Sequence, residues 1–502
     1  MLRTEVIRPV HELLDGHAAG RPGAVAFADD ARSVTWAELA TTTRRLAGHL
    51  AARGVGPGDR VAMVLGNAVE TVETYLAIPR AGGVAVCLNP DAAPAEIDYM
   101  LADSGARLVV TDTAHAGLVG PDVATVVVGT GGSYADLIAT EPDVVAPDPA
   151  DLDATAFMLY TSGTTGRPKG VELTLRSCLW VVAACWAPIV GLGPDDVVLS
   201  ALPLFHSYAL DLCVLGVVAT GASERILPRF SPGRILELLA GDQRHTVLPG
   251  VPTGFSYLVQ AAGDRAPRHR LRLAISAGAI LPATVDRAFE QAFAVPLLDG
   301  YGITETSTMV TMNWPHGARP AGSCGLPLPG LAVRLVDPAT GTDAPPGGEG
   351  ELWVRGPNVM RGYWGRPEQT ASVLVDGWYR TGDLARADEN GYLTISGRTK
   401  EMIIRGGENI YPAEIESVLL AAPGVADAAV VGRAHPDLGE EPVAFVVGAP
   451  DPDAVAAYCR ERLAWFKVPV AFLPVDAIPR TGSGKIRRFE LARLLTDDRA
   501  PA

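Results

Sequence analysis

From Val34 to Val128 the chain alternates two apolar rhythms, and few architectures accommodate both. VTWAELATTTRRLAGHLAARG (34–54) repeats apolar residues at helical spacing and stops at Gly54, a residue suited to ending a helix. GPGDRVAMVLGN (56–67) reads as a turn and a short strand, and ETVETYLAIPRAG (70–82) as a helix. VAVCLN (84–89), ARLVVTD (106–112) and VATVVV (123–128) read as strands. Strands that alternate with helices imply an α/β fold, a largely parallel sheet with helices on both faces.

Two later changes of texture divide the chain. Between about Ala321 and Gly397, glycine-punctuated runs such as LAVRLVDPATG, GELWVRGP and GYLTISGR suggest a β-rich subdomain. Beyond Lys400, AEIESVLLAAPG and DAVAAYCRERLAWF read as helices, with VADAAVVGR and PVAFVVGA as strands, which makes a compact α+β module. The expected division is a large N-terminal body over 1–398 and a small mobile lid domain over 399–502. A length of 502 residues agrees with more than one domain.

Composition narrows the function. With 48% hydrophobic and 20% charged residues the chain is expected to fold, and a net charge of −15 argues against nucleic acid or an anionic membrane as partner. The six cysteines are scattered with no C-x-x-C pair, which favours buried free thiols over metal or disulfide roles. LWVVAACWAPIVGLG is too short and too well bounded to span a membrane, and the N-terminal segment lacks a signal-peptide core. A soluble, cytoplasmic protein is expected.

TSGTTGRPKG (161–170) cannot build a core. Its glycines free the backbone to aim successive N–H groups at an anion, its hydroxyls add donors, and Lys169 adds a flexible positive charge. A loop that hydrogen-bonds a polyphosphate fits these features, although the Gly-Lys-Ser/Thr ending of the commonest phosphate loop is missing.

Four more stretches accompany it in order: LDGYGITETS (298–307), WYRTGDLA (378–385), GRTKEMIIRGGENIYPAEIE (397–416) and PRTGSGKIRR (479–488). Together they closely resemble the acyl-adenylate-forming superfamily of acyl-CoA synthetases, adenylation domains and luciferases, from about Thr35 to Leu494. The resemblance implies ATP-dependent activation of a carboxylate to an acyl-AMP with release of pyrophosphate, then capture by the thiol of CoA or of a carrier protein's phosphopantetheine. Two anionic reactants call for cations, donors and in-line positioning instead of a protein nucleophile.

By resemblance, Thr161, Ser162, Gly163, Thr164, Thr165 and Lys169 cradle the β- and γ-phosphates. Gly278, Ala279, Asp299, Gly300 and Tyr301 surround the nucleotide, with Tyr301 stacking on adenine. Thr304 donates to the α-phosphate and Glu305 holds Mg²⁺. Asp383 accepts the ribose hydroxyls with support from Arg398, and Lys485 stabilises the forming acyl phosphate. Lys400 is the hinge, and Gly406 and Gly407 line the pantetheine path. A non-catalytic nucleotide-binding relative is the competing class, but it has no need of the whole set.

The acid is less defined. His206 and Gly302 are expected beside the acyl group, with Ile280, Leu281, Met309 and Val310 as apolar wall. FHSYALDLCVLGVV lacks the Phe-Asp pair that would hold an α-ammonium, which disfavours an ordinary α-amino acid. Asp211, alone among apolar neighbours, is costly there unless a cation meets it, and the cation suggested is the ammonium of a β-amino acid. Otherwise it pairs with a neighbouring arginine or points to solvent. A fatty or aryl acid is equally compatible. Arg433, Arg460, Arg462, Lys467, Arg487 and Arg488 offer material for meeting either CoA or an acidic carrier protein.

Overall fold

The computed structural model describes residues 2–496 apart from 122, 162–166, 264–265, 407 and 481–484. It has the expected α/β architecture: a large N-terminal body of parallel and mixed sheets with helices, and a small C-terminal domain. Helix Trp36–Ala52 shows how local signals set an element. Thr35 and Glu38 close a capping box, with Thr35 N–H donating to the Glu38 carboxylate at 2.8 Å, and Gly54 takes φ +86° beyond the last turn. Its inward face buries Trp36, Leu39, Leu46 and Leu50.

Among the described residues the body holds three sheets. In the nine-stranded sheet, Leu297–Tyr301, Leu273–Ser276, Val247–Gly250, Val197–Ser200, Ser223–Ile226 and Val25–Ala28 run parallel as successive neighbours. The seven-stranded sheet places Arg60–Val64 between Val84–Cys87 and Leu108–Asp112, all parallel, with Ala124–Val128 at its edge. A five-stranded antiparallel sheet, built from Ala332–Val336, Glu349–Arg355, Leu374–Val375, Trp378–Ala387 and Leu393–Arg398, is the β-rich subdomain. Between the two large sheets lies an apolar core that includes Phe27, Tyr75, Phe157 and Trp186.

The C-terminal residues bury a core of their own. Val425–His435 and Gly439–Gly448 form a long hairpin joined by Ile403–Arg405, Glu408–Ile410 and Ala471–Pro474. Helix Pro412–Leu420 packs Ile415 and Leu419 on one face, and Leu491 meets Phe445 on the other. All six cysteines are buried and free. No helix of the described residues is long and apolar enough to cross a membrane; LWVVAACWAPIVGLG is interior packing within the main core.

Candidate active site

The topology gathers the motifs before any side chain is considered. Because neighbouring strands of the nine-stranded sheet are parallel, the segments leaving their carboxyl ends share one edge, where open α/β sheets place ligands. Residues 201–206 follow Val197–Ser200, residues 277–281 follow Leu273–Ser276, and residues 302–306 follow Leu297–Tyr301. His206, Gly278, Ala279, Gly302, Thr304 and Glu305 are thereby brought to one edge. In the other large sheet, Thr155–Thr161 is parallel to Val84–Cys87 and antiparallel to Lys169–Thr174, with Thr161 directly opposite Lys169. Ser162, Gly163, Thr164, Thr165 and Gly407 lie outside the described residues.

GITETS is a tightly constrained turn. A Cβ on Gly302 would lie 1.3 Å from the Thr308 carbonyl oxygen, so only glycine fits. Thr304–Thr306 forms a single 3₁₀ turn, after which Ser307 and Thr308 both take left-handed conformations at φ +47° and +90°. Strain of this kind, about 1–3 kcal/mol per residue, persists where the surroundings over-determine it and collects at functional sites. The Thr304 hydroxyl lies 3.4 Å from Ser207 Oγ. Glu305 is held twice: its backbone carbonyl accepts the Met360 N–H at 2.8 Å, and its Oε1 accepts the Tyr363 hydroxyl at 3.0 Å. The Lys169 ammonium sits 5.0 Å from the centre of the same Tyr363 ring, a cation–π contact joining the loop to Glu305. Burial, then Lys400, lowers the Lys169 pKa, while Glu305 opposes the change.

The second half of the site is electrostatic. Asp383 is buried, with Arg398 Nε 2.8 Å from one carboxylate oxygen and the Tyr301 hydroxyl 2.5 Å from the other. Lys485 is half-buried within electrostatic reach of Arg398, Asp383, Glu305 and Glu401; burial and then Arg398 lower its pKa, and the three carboxylates hold it up. Its charge also reaches His206, whose pKa falls to about 3, chiefly by burial. The charge of a lysine in the C-terminal domain is thus felt at groups of the body. Asp299 is buried with Oδ1 unbonded among the described residues, and burial with nearby Asp286 pushes its carboxyl well above the usual range.

A family model described as AMP-binding enzyme matches residues 14–364, and one described as AMP-binding enzyme C-terminal domain matches 414–485. The chain belongs to the AMP-binding enzyme family. It is an AMP-forming acid–thiol ligase of the acyl-adenylate-forming superfamily. A feruloyl-CoA synthase of Amycolatopsis sp is 40% identical over 484 residues, 94% of this chain and 96% of that one. A naringenin synthase of Pestalotiopsis fici is 39% identical over 516 residues, which is 96% of this chain; this chain spans only 19% of that protein's length. The crystal structure of ATP-bound MatB from Rhodopseudomonas palustris superposes with a TM-score of 0.88 at 36% identity, covering 97% of this chain and 99% of that one.

Within the AMP-binding enzyme, Asp211 takes neither of the ordinary positions open to it. It is 1% exposed, so it does not reach solvent, and its partner is no arginine: Trp186 Nε1 donates to Oδ1 at 2.6 Å. Oδ2 has no bond among the described residues, and burial pushes the carboxyl well above the usual carboxylate range. Both residues lie in π-helical turns, Val182–Trp186 and Leu210–Gly216, the second starting four residues after His206. Such turns are rare and frequent at functional sites.

Two of the expected pocket walls pack into cores. Leu281 joins a core with Phe255 and Phe289, and Val310 packs into the β-rich subdomain with Leu352 and Leu393. Ile280 is 39% exposed. The basic residues of the C-terminal domain are largely neutralised inside it, as Arg433–Glu441, Lys467–Glu414, Arg487–Glu490 and Arg488–Glu416 pairs. Three site residues escaped the reading of the chain: Tyr363, Ser207 and Glu401. Glu401 adjoins Lys400 and was within reach of a motif argument; Tyr363 lies 58 residues from its Glu305 partner and carried no local mark.

Proposed function

We propose that the enzyme activates an aryl or small acyl carboxylic acid with ATP and transfers the acyl group to CoA. A carboxylate oxygen of the acid attacks the α-phosphorus, the α–β anhydride bond breaks and pyrophosphate leaves; the thiol sulfur then attacks the acyl carbonyl, releasing AMP and a proton. Lys485 carries this reading, because its cation shares one small region with Glu305, Asp383, Arg398 and His206. There it offsets the charge that builds as two anions join.

The other residues divide the nucleotide between them. Thr161 and Lys169 meet the terminal phosphates and Thr304 the α-phosphate. Asp383, oriented by Arg398 and Tyr301, accepts the ribose hydroxyls. Gly278, Ala279, Asp299, Gly300 and Tyr301 border adenine; Gly278, at φ +88°, has room around it for a close ligand. Magnesium fits the donor chemistry of Glu305, a hard carboxylate held by the Tyr363 hydroxyl, which would hold the ion together with the phosphate oxygens of ATP. When bound it neutralises phosphate charge. His206, uncharged at neutral pH, and Gly302 border the acyl group. Residues 399–502 turn about Lys400 after adenylation, which withdraws Lys485 and lets the thiol approach past Gly406.

The aryl preference draws support from the similarity to a feruloyl-CoA synthase along nearly the whole chain. A second reading, an amino-substituted acid such as a β-amino acid delivered to CoA or a carrier protein, draws on the unbonded oxygen of buried Asp211, which an ammonium would satisfy. ATP–pyrophosphate exchange over aryl, fatty, α-amino and β-amino acids, followed by CoA and carrier protein as acceptors, separates them. Exchange with aryl acids but no amino acid supports the first reading. Exchange with β-amino acids that Asp211→Asn abolishes supports the second, and no exchange with any acid defeats both.

A further inference from the structure

One carboxylate outside the site described above joins Tyr160, next to Thr161, to the segment that carries Trp364 and Arg366. Asp103, near the end of helix Pro94–Ser104, accepts Arg366 Nη2 on Oδ1 at 2.6 Å and the Tyr160 hydroxyl on Oδ2 at 2.9 Å, while its backbone carbonyl accepts Trp364 Nε1 at 3.1 Å. One turn earlier, Tyr99 donates its hydroxyl to the Pro168 carbonyl at 3.1 Å, accepts Arg366 Nη2 at 3.0 Å, and carries the Arg167 guanidinium 5.4 Å from its ring centre. Tyr160 precedes Thr161 and Pro168 precedes Lys169, and those two successors face each other across the hairpin. Both flanks of the phosphate-binding pair are therefore moored to one helix end.

The third element of this arrangement is the segment 363–366. Its Tyr363 hydroxyl holds Glu305, its Trp364 N–H donates to the Gly170 carbonyl at 2.8 Å, and its Arg366 pairs with Asp103. An open hollow of about 550 Å³ lies beside it, lined by Tyr99, Asp103, Arg167, Lys169, Arg366 and Gln369. Two further cations, Arg167 and Arg366, line this space beside Lys169, and Asp103 is the anion that holds Arg366 in place. Its side chain is only 13% exposed, so the Arg366 pair is shielded enough to fix geometry.

We propose that Asp103 is a positioning residue for the terminal phosphates of ATP: it sets the placement of Lys169 relative to Glu305 through Tyr160, Tyr99 and Arg366, without touching the nucleotide. This rests on the ligase reading above. It makes a selective claim, because AMP and the acyl-adenylate lack the β- and γ-phosphates and have nothing to lose at Lys169.

The test compares wild type, Asp103→Asn and Tyr99→Phe by equilibrium binding of ATP and of AMP, and by thioester formation from supplied acyl-adenylate and CoA. Loss of a charged hydrogen bond predicts an ATP dissociation constant about tenfold higher in Asp103→Asn. AMP binding and the thioester step stay at wild-type levels. Tyr99→Phe keeps the direct Asp103–Arg366 pair and removes the bonds its hydroxyl makes to the Pro168 carbonyl and to Arg366 Nη2, which predicts about a three- to tenfold rise for ATP alone. Should Asp103→Asn not fold, Tyr99→Phe carries the same ATP-against-AMP comparison. Equal losses for ATP and AMP, or unchanged ATP affinity, overturn the proposal. A wild-type protein that binds no ATP overturns the ligase reading, and the positioning role with it.

Discussion

Asp383 and Arg398 are directly opposed residues of two antiparallel strands, and Arg398 Nε lies 2.8 Å from the Asp383 carboxylate. The strand that carries Arg398 ends there, two residues before Lys400. The buried acid assigned to the ribose is thus braced by the last residue of the last strand before the C-terminal domain. On the proposed roles of Asp383 and Lys400, nucleotide binding and hinge geometry would share a joint, because a rotation about Lys400 would start two residues from the partner of Asp383.

Replacing Asp383 by Asn removes the charge that orients both Arg398 and the ribose hydroxyls. The KM for ATP in pyrophosphate exchange should rise about 10- to 100-fold, the range for a lost charged hydrogen bond, with a parallel loss of AMP binding. A loss confined to ATP would contradict the ribose assignment, since AMP carries the same ribose.

Lys485→Ala separates the two half-reactions. Pyrophosphate exchange should fall by about 10²–10³, the scale for removing one group that stabilises developing charge. Thioester formation from supplied acyl-adenylate should persist if, as proposed, the lysine is withdrawn when the thiol enters. Equal loss of both steps would argue for a folding defect or a different role.

The pH profile carries a signature of the same residue. Burial and Arg398 lower the Lys485 pKa, and adenylation needs its ammonium form, so kcat/KM for exchange should decline on the alkaline side below the value of about 10.4 for a free lysine. In Lys485→Arg the reduced activity should show no such limb, since arginine stays charged. A limb at the same pH in both proteins would assign it elsewhere.

Glu224 is a stability prediction distant from chemistry. It is buried with both carboxylate oxygens unbonded among the described residues, and burial raises its pKa well above the usual range. The folded protein keeps a proton that the unfolded chain releases near about pH 4.3, so stability falls as pH rises above that point until the folded group ionises too. Glu224→Gln removes the penalty. It should stabilise by ~1–3 kcal/mol near pH 8 and by little near pH 4.5, read as thermal midpoints. Equal gains at both pH values would dismiss ionisation as the cause.

Much of the architecture was legible along the chain because its signals are local. The Thr35–Glu38 box and Gly54 lie within one turn of the helix ends they set. The strand and helix periods from Arg60 to Val128 each repeat within a few residues, and the motif residues Asp383 and Arg398 were found by their immediate neighbours. Helical spacing alone did not distinguish an ordinary turn from the π-helical turns at Trp186 and Asp211, since one added residue per turn leaves the same apolar composition.

Order, period and motif identity were determined by the sequence itself, each through interactions that span a turn or a hairpin. Only the tertiary structure decided which partners those residues meet. Tyr363 reaches Glu305, Trp186 reaches Asp211, and Asp103 gathers Tyr160 and Arg366 across 57 and 263 positions. Leu281 and Val310 turn to cores instead of a pocket. Such pairings depend on sheet order and on where crossovers set each strand end, and no short stretch of chain encodes a neighbour that arrives from another sheet.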